Sequence, residues 1–143
     1  VASYMMPSQS VLSSMGVTMP VHALSHYNIS DERKVVARER DKKCTELFGY
    51  LLDKLKETKD LNGQSLYDSS VVSYGTNIRS GHGILGFPVF LSGGGIKKLR
   101  LGESLMLSKD TPLQNVWLTL LQEVGIPIDS FSSSTGSLSE ILT

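Results

Sequence analysis

The sequence predicts a mixed α/β fold, a layered sheet with flanking helices, because helical apolar stripes alternate with short apolar strands and Gly, Pro, Asn or Asp marks the junctions. The chain has 143 residues, 40% hydrophobic and 20% charged, which suits one domain or domain fragment over residues 1–143 with one ordinary core. Within it, residues 1–29 read as an irregular N-terminal segment. Residues 30–143 carry a helix, strands, a hairpin and a C-terminal helix.

Residues 1–29 are rich in Ser, Met and Pro without a sustained period, so at most a short strand or one turn of helix is expected there. Ser30 is an N-cap, and Asp31 and Glu32 meet the positive end of a helix dipole in its first turn. The long helix that follows begins with a charged half, Asp31 to Lys43, whose alternating signs suit a solvated face laced with i to i+4 pairs. From Cys44 onward, Leu47, Phe48, Leu51, Leu52 and Leu55 fall three and four apart, a stripe expected to be buried. Asp60-Leu61-Asn62-Gly63 ends this helix in a turn.

Ser70-Val71-Val72-Ser73-Tyr74-Gly75 is a β-branched and aromatic run and predicts a strand. Phe87-Pro88-Val89-Phe90-Leu91 predicts a second, apolar on both faces like an interior parallel strand. Leu99 to Leu107 alternates around Gly102-Glu103 and predicts a small hairpin. Asp110-Thr111-Pro112 starts a helix whose stripe is Leu113, Val116, Trp117, Leu120, Leu121 and Val124, with Gly125 and Pro127 ending it. Trp117 is most simply core. The Ser-rich end, Ser130 to Thr143, has apolar anchors at Phe131, Leu138, Ile141 and Leu142 and is expected to pack along the surface.

Fourteen basic residues balance fourteen acidic ones, and the pI is about 7.0, so no global field draws the chain to nucleic acid or an anionic membrane. No apolar run approaches the roughly 20 residues of a membrane span. The single cysteine, Cys44, rules out an intramolecular disulfide and a cysteine-based zinc site. The chain opens on Val1, without the basic start or apolar stretch of a signal peptide, so the natural N-terminus is expected upstream.

Three places carry residues suited to chemistry. The loop Thr76 to Gly83 leaves the end of the first strand with Asn77, Arg79, Ser80 and His82, where open α/β sheets bind ligands. Arg79 is suited to an oxyanion, and His82 to a metal or a proton; the plainer reading is a tight turn at Gly81 and Gly83 capped by His82. His22 and His26 stand at i and i+4, which on a helix puts two imidazoles on one face as metal ligation requires, although a closed zinc site takes about four ligands. Ser92-Gly93-Gly94-Gly95 lacks the following helix and the Lys-Ser/Thr register of a phosphate loop, and reads as a tight turn. A Ser/His/Asp triad is recognised by geometry, and sequence order asserts none.

The run Glu46 to Lys56, the strand Ser70 to Gly75, the stretch Phe87 to Gly94 and the segment Lys109 to Gly136 together resemble the C-terminal part of the bacterial domain-of-unknown-function family fifteen fifty-two, over about residues 20–143. That family is similar to the alkaline-phosphatase-like and sulfatase-like hydrolases. His22 and Ser25-His26 match its His-containing stretch. Where its pattern carries an Asp-Gly pair and a His-rich run, this sequence has Ser80-Gly81, His82 and then Ile84, so the resemblance implies a divalent-metal site with depleted ligands. It further implies that the nucleophile and remaining ligands belong to an N-terminal half outside these residues, and that the protein is periplasmic or secreted. Two functions are therefore expected in competition: a portion of a metal-dependent hydrolase, incomplete or inactive alone, and a non-catalytic binding or self-assembly module. The second is supported by the apolar strand edges and helix faces that a partial sheet leaves to be covered, so a homo-oligomer or the missing N-terminal half is expected as partner.

Overall fold

The computed structural model describes residues 1–76, 80–86 and 88–143. It is mixed α/β: four α-helices, three single-turn 3-10 segments and a small antiparallel sheet among those residues. The chain divides into two compact units, one formed by Val1–Lys54 with Thr76–Pro88, the other by Leu55–Gly75 with Val89–Thr143.

The first unit holds two short helices where little regular structure is expected, α1 (Ser8–Ser14) and α2 (Val21–Ser25), followed by a 3-10 turn at Tyr27–Ile29. Helices of seven and five residues show too few turns to register a period, and such pieces persist only through packing. Here Leu12 and Leu24, both fully buried, meet Ala37 of the long helix α3 (Asp31–Glu57), with Val17, Met19, Val21, Tyr27 and Val36 around them. Gly16, at φ 73°, turns the chain out of α1.

α3 begins as its sequence predicts: the Ser30 Oγ accepts the backbone N–H of Arg33 at 3.2 Å. Its charged half forms pairs at closer spacing than i to i+4. Lys34 binds Asp31 and Lys43 binds Glu46, both at i,i+3, and Arg40 binds its neighbour Asp41. The apolar stripe is covered along one narrow row. Cys44 and Phe48 are buried and Leu52 and Leu55 half-buried, whereas Leu47 and Leu51, one helical step around the axis, stay exposed.

In the second unit β1 (Val72–Gly75) pairs with β2 (Val89–Ser92) in the register Val72↔Ser92, Ser73↔Leu91, Tyr74↔Phe90, Gly75↔Val89. The pairing is antiparallel, which corrects the parallel strand expected from the apolar run. An antiparallel return needs no crossover helix, and the sheet is only two strands wide, so β2 is an edge rather than an interior strand. Tyr74 and Phe90 stack across it at 5.8 Å. Phe87 lies outside the described residues.

The expected hairpin at 99–107 does not form. The C-terminal tail takes its hydrogen-bonding groups instead: Leu99 bridges Leu142, Arg100 N–H donates to the Ile141 carbonyl at 2.9 Å, and Thr143 N–H donates to the Lys98 carbonyl at 2.7 Å. Left without a partner strand, residues 101–106 run exposed past the left-handed Gly102. α4 (Leu113–Glu123) follows, with Pro112 as its extended N-cap and Gly125, at φ 87°, after its end.

The core of this unit is Ile96, Leu99, Val116, Leu120, Leu138 and Ile141, with Trp117 half-buried against it. A buried polar pair locks the tail onto α4. The Asn115 side chain donates to Thr135 Oγ1 and accepts its N–H, while Thr119 Oγ1 donates to the Asn115 carbonyl and accepts Leu138 N–H at 2.7 Å. Every buried polar group of that network is thus satisfied.

Candidate metal centre

Three imidazoles from two segments far apart in sequence meet in the first unit. α2 supplies His22 from its second position and His26 from the residue that caps its end. Pro20, held at φ −62° and ψ 142°, sets the start of this helix, and its carbonyl accepts Leu24 N–H at 3.1 Å. Val21 N–H is taken by Gln9 Oε1 at 3.0 Å. Burial of Leu24 fixes which face of α2 points inward, and the i to i+4 spacing then leaves His22 exposed and His26 half-exposed.

His82 closes the cluster from the 3-10 segment Ser80–His82. Gly81 (φ 65°) and His82 (φ 65°) are both left-handed, a conformation easy for glycine and costly for histidine. Backbone strain at a non-glycine residue persists where its surroundings hold it, and it collects at functional sites. Here the strained residue presents the third ring.

The ring centroids stand 5.3 Å apart for His22–His26, 5.2 Å for His22–His82 and 5.0 Å for His26–His82. One nitrogen from each lies within 4.8 Å of the other two. An equilateral triangle of that side has its centre about 2.8 Å from each corner, so rotamer adjustments of under about 1 Å reach the 2.0–2.1 Å of a zinc–nitrogen bond. The group contains no carboxylate among the described residues. Three neutral nitrogens suit zinc, copper, nickel or cobalt, whereas calcium and magnesium want oxygen.

The other sequence candidates separate cleanly. Asn77 and Arg79 lie outside the described residues, and Ser80 is placed by its backbone in the 80–82 turn. The glycine run after β2 is a close-packed turn, as expected: Gly94 N–H donates to the Tyr67 carbonyl and Gly95 N–H to the Ser70 carbonyl, both at 2.9 Å. A Cβ on Gly94 would stand 2.9 Å from Asp68 Cα, so these glycines serve backbone approach rather than a ligand. Sequence reasoning names His22, His26 and His82 together as candidate metal ligands; what it does not display is the chain return that brings His82 beside the α2 pair.

A second feature of this unit is a cleft of about 280 Å³ lined by Tyr27, Lys34, Ala37, Arg38 and Asp41. Its lysine and its aspartate each hold an intramolecular partner, Asp31 and Arg40 respectively. Among the described residues no helix is long and apolar enough to cross a membrane. Comparison with family models, with curated proteins and with solved structures found no match for this chain.

Proposed function

We propose that His22, His26 and His82 bind one divalent transition-metal ion, and that the chain is the C-terminal, metal-bearing portion of a hydrolase with an alkaline-phosphatase-like layered fold. The observation that carries the metal assignment is the convergence of three imidazole nitrogens within 4.8 Å from two separate segments. Three protein ligands leave a coordination position open, the arrangement of catalytic rather than closed structural zinc sites. An ion so held supplies Lewis-acid polarisation of an ester or a more acidic water. The hydrolase class rests on the family resemblance of residues 20–143, and on that reading a nucleophile and acidic ligands come from outside this sequence.

Calorimetric titration with zinc, together with elemental analysis of the purified protein, tests the metal assignment. One ion per chain is expected, with affinity falling at least about tenfold in each of His22→Ala, His26→Ala and His82→Ala. Zinc affinity unchanged in all three variants would remove the site. Turnover of aryl phosphate or aryl sulfate esters by the zinc-loaded protein separates a working hydrolase from an incomplete one.

A second reading, self-assembly, is favoured by the exposed apolar residues of α3, Leu47, Tyr50 and Leu51, which occupy neighbouring positions on one helix. Light scattering is expected to show association at high concentration that Leu47→Lys reduces; a monomer at all concentrations contradicts it.

A further inference from the structure

The structure points to Arg33 as the positioning residue of the three-histidine centre, an inference that rests on the metal assignment proposed above. α2 has five residues, and an isolated helix of that length does not persist in water. Its inner side is fixed by Leu24 and its first N–H by Gln9. Its carbonyl end needs a donor from elsewhere, because the last carbonyls of a helix have no partner within it.

Arg33 supplies that donor. Its Nη1 lies 3.1 Å from the carbonyl oxygen of Ala23, and the contact is partly buried. Ala23 stands immediately after His22 and three residues before His26, so the bond grips the backbone between the two α2 ligands. Arg33 is itself fixed, since its backbone N–H is held by Ser30 Oγ in the first turn of α3. Arg33 is thus held at its backbone N–H and at one guanidinium nitrogen, and the second of these bonds ties the terminal turn of α2 to the first turn of α3 and sets its rotation. Ser25 Oγ adds a local tie to the His22 carbonyl at 2.7 Å, which restrains the helix internally but does not orient it.

The orientation matters because one helical position corresponds to about 100° of rotation. A modest turn of α2 about the Leu24 contact carries His22 and His26 away from His82, which is held on a different segment by its own left-handed backbone. The guanidinium of Arg33 hydrogen-bonds the Ala23 carbonyl rather than an imidazole, so it acts through that carbonyl, in the way outer partners orient metal ligands.

Cobalt(II) titration of the full chain, followed by visible absorption, tests this with Arg33→Met and Arg33→Lys. Arg33→Met keeps the aliphatic stem and lacks the donor. Its cobalt(II) Kd is expected to rise roughly tenfold with an altered ligand-field band, while the metal-free protein keeps its circular dichroism and a Tm within about 4 °C of wild type. Arg33→Lys, which retains a cationic donor, is expected to recover most of the affinity and the wild-type band. Wild-type affinity and spectrum in Arg33→Met overturns the inference while leaving the metal site standing. Loss of metal-free structure in Arg33→Met also overturns it, by making the residue a general stabiliser. Absence of cobalt(II) binding by wild type removes the metal assignment itself and this inference with it.

Discussion

The two units of the chain hold their elements in opposite ways. In the unit built from residues 55–75 and 89–143, six buried apolar residues form one cluster, and the Asn115–Thr119 network stitches the C-terminal tail to α4. In the unit built from residues 1–54 and 76–88, three buried residues, Leu12, Leu24 and Ala37, hold two helices too short to stand alone. The imidazole cluster lies in the second of these. A small core leaves the geometry of its polar residues dependent on a few bonds, and a bound ion there contributes to folding as well as to chemistry.

Truncating one fully buried leucine in each unit probes the comparison with the largest effects. Leu118→Ala on α4 and Leu24→Ala on α2 are each expected to cost about 2–5 kcal/mol, the range for a buried leucine whose cavity cannot fully collapse. Denaturant titration reads the loss. The two variants should part on zinc: Leu24→Ala, on the helix that carries His22, loses metal affinity, whereas Leu118→Ala, on α4 of the other unit, keeps it. Equal retention of zinc affinity by both would show that the small core does not shape the site.

A somewhat smaller effect is expected from the ion. Zinc at a hundredfold excess over its Kd should stabilise the protein by about 2.7 kcal/mol, the mass-action value for a ligand bound by the folded form alone. His82→Gly sharpens this result, because it removes a ligand and a strained backbone together. The metal-free variant should gain about 1 kcal/mol from relief at φ 65°, and zinc should stabilise it far less than wild type. A metal-free His82→Gly protein less stable than wild type would mean that the imidazole contributes packing that outweighs its backbone strain.

What the sequence made legible follows the range of the signals involved. Ser30, the acidic first turn and the 44–55 periodicity mark α3, and Pro112 and Gly125 bracket α4, because capping and helical period are local properties. Strand direction is not local. The run at 87–91 is as apolar as an interior parallel strand, and only the partner across it, Tyr74 against Phe90, reveals a two-stranded antiparallel ribbon. The hairpin at 99–107 was lost to competition from Ile141 and Leu142, forty residues further along, which no window of sequence displays. For the site, the i to i+4 pair His22 and His26 was readable from spacing alone. Its meeting with His82 depends on chain return over more than fifty residues and on a left-handed turn at Gly81, and neither is written in composition or period.

The smallest effect concerns Cys44, whose thiol shows how narrowly α3 is covered. Burial pushes its pKa up; the Arg40 guanidinium offsets part of this, and Asp41 adds a lesser push in the same direction. A thiol raised in the folded state favours its neutral form there, so its contribution to stability is complete below the unfolded-state value, about 8.5, and is lost as pH rises through the higher folded value. Stability measured from pH 7 to 10 should therefore fall more steeply for wild type than for Cys44→Ala, and the difference between the two curves isolates the thiol. The native thiol should also react with iodoacetamide more slowly than a free cysteine at pH 8, since the thiolate is the reactive form. The same burial sits one helical step from exposed Leu47, so a wild-type curve parallel to that of Cys44→Ala would place Cys44 on the solvated side of α3 and dissolve the distinction between its covered and uncovered rows.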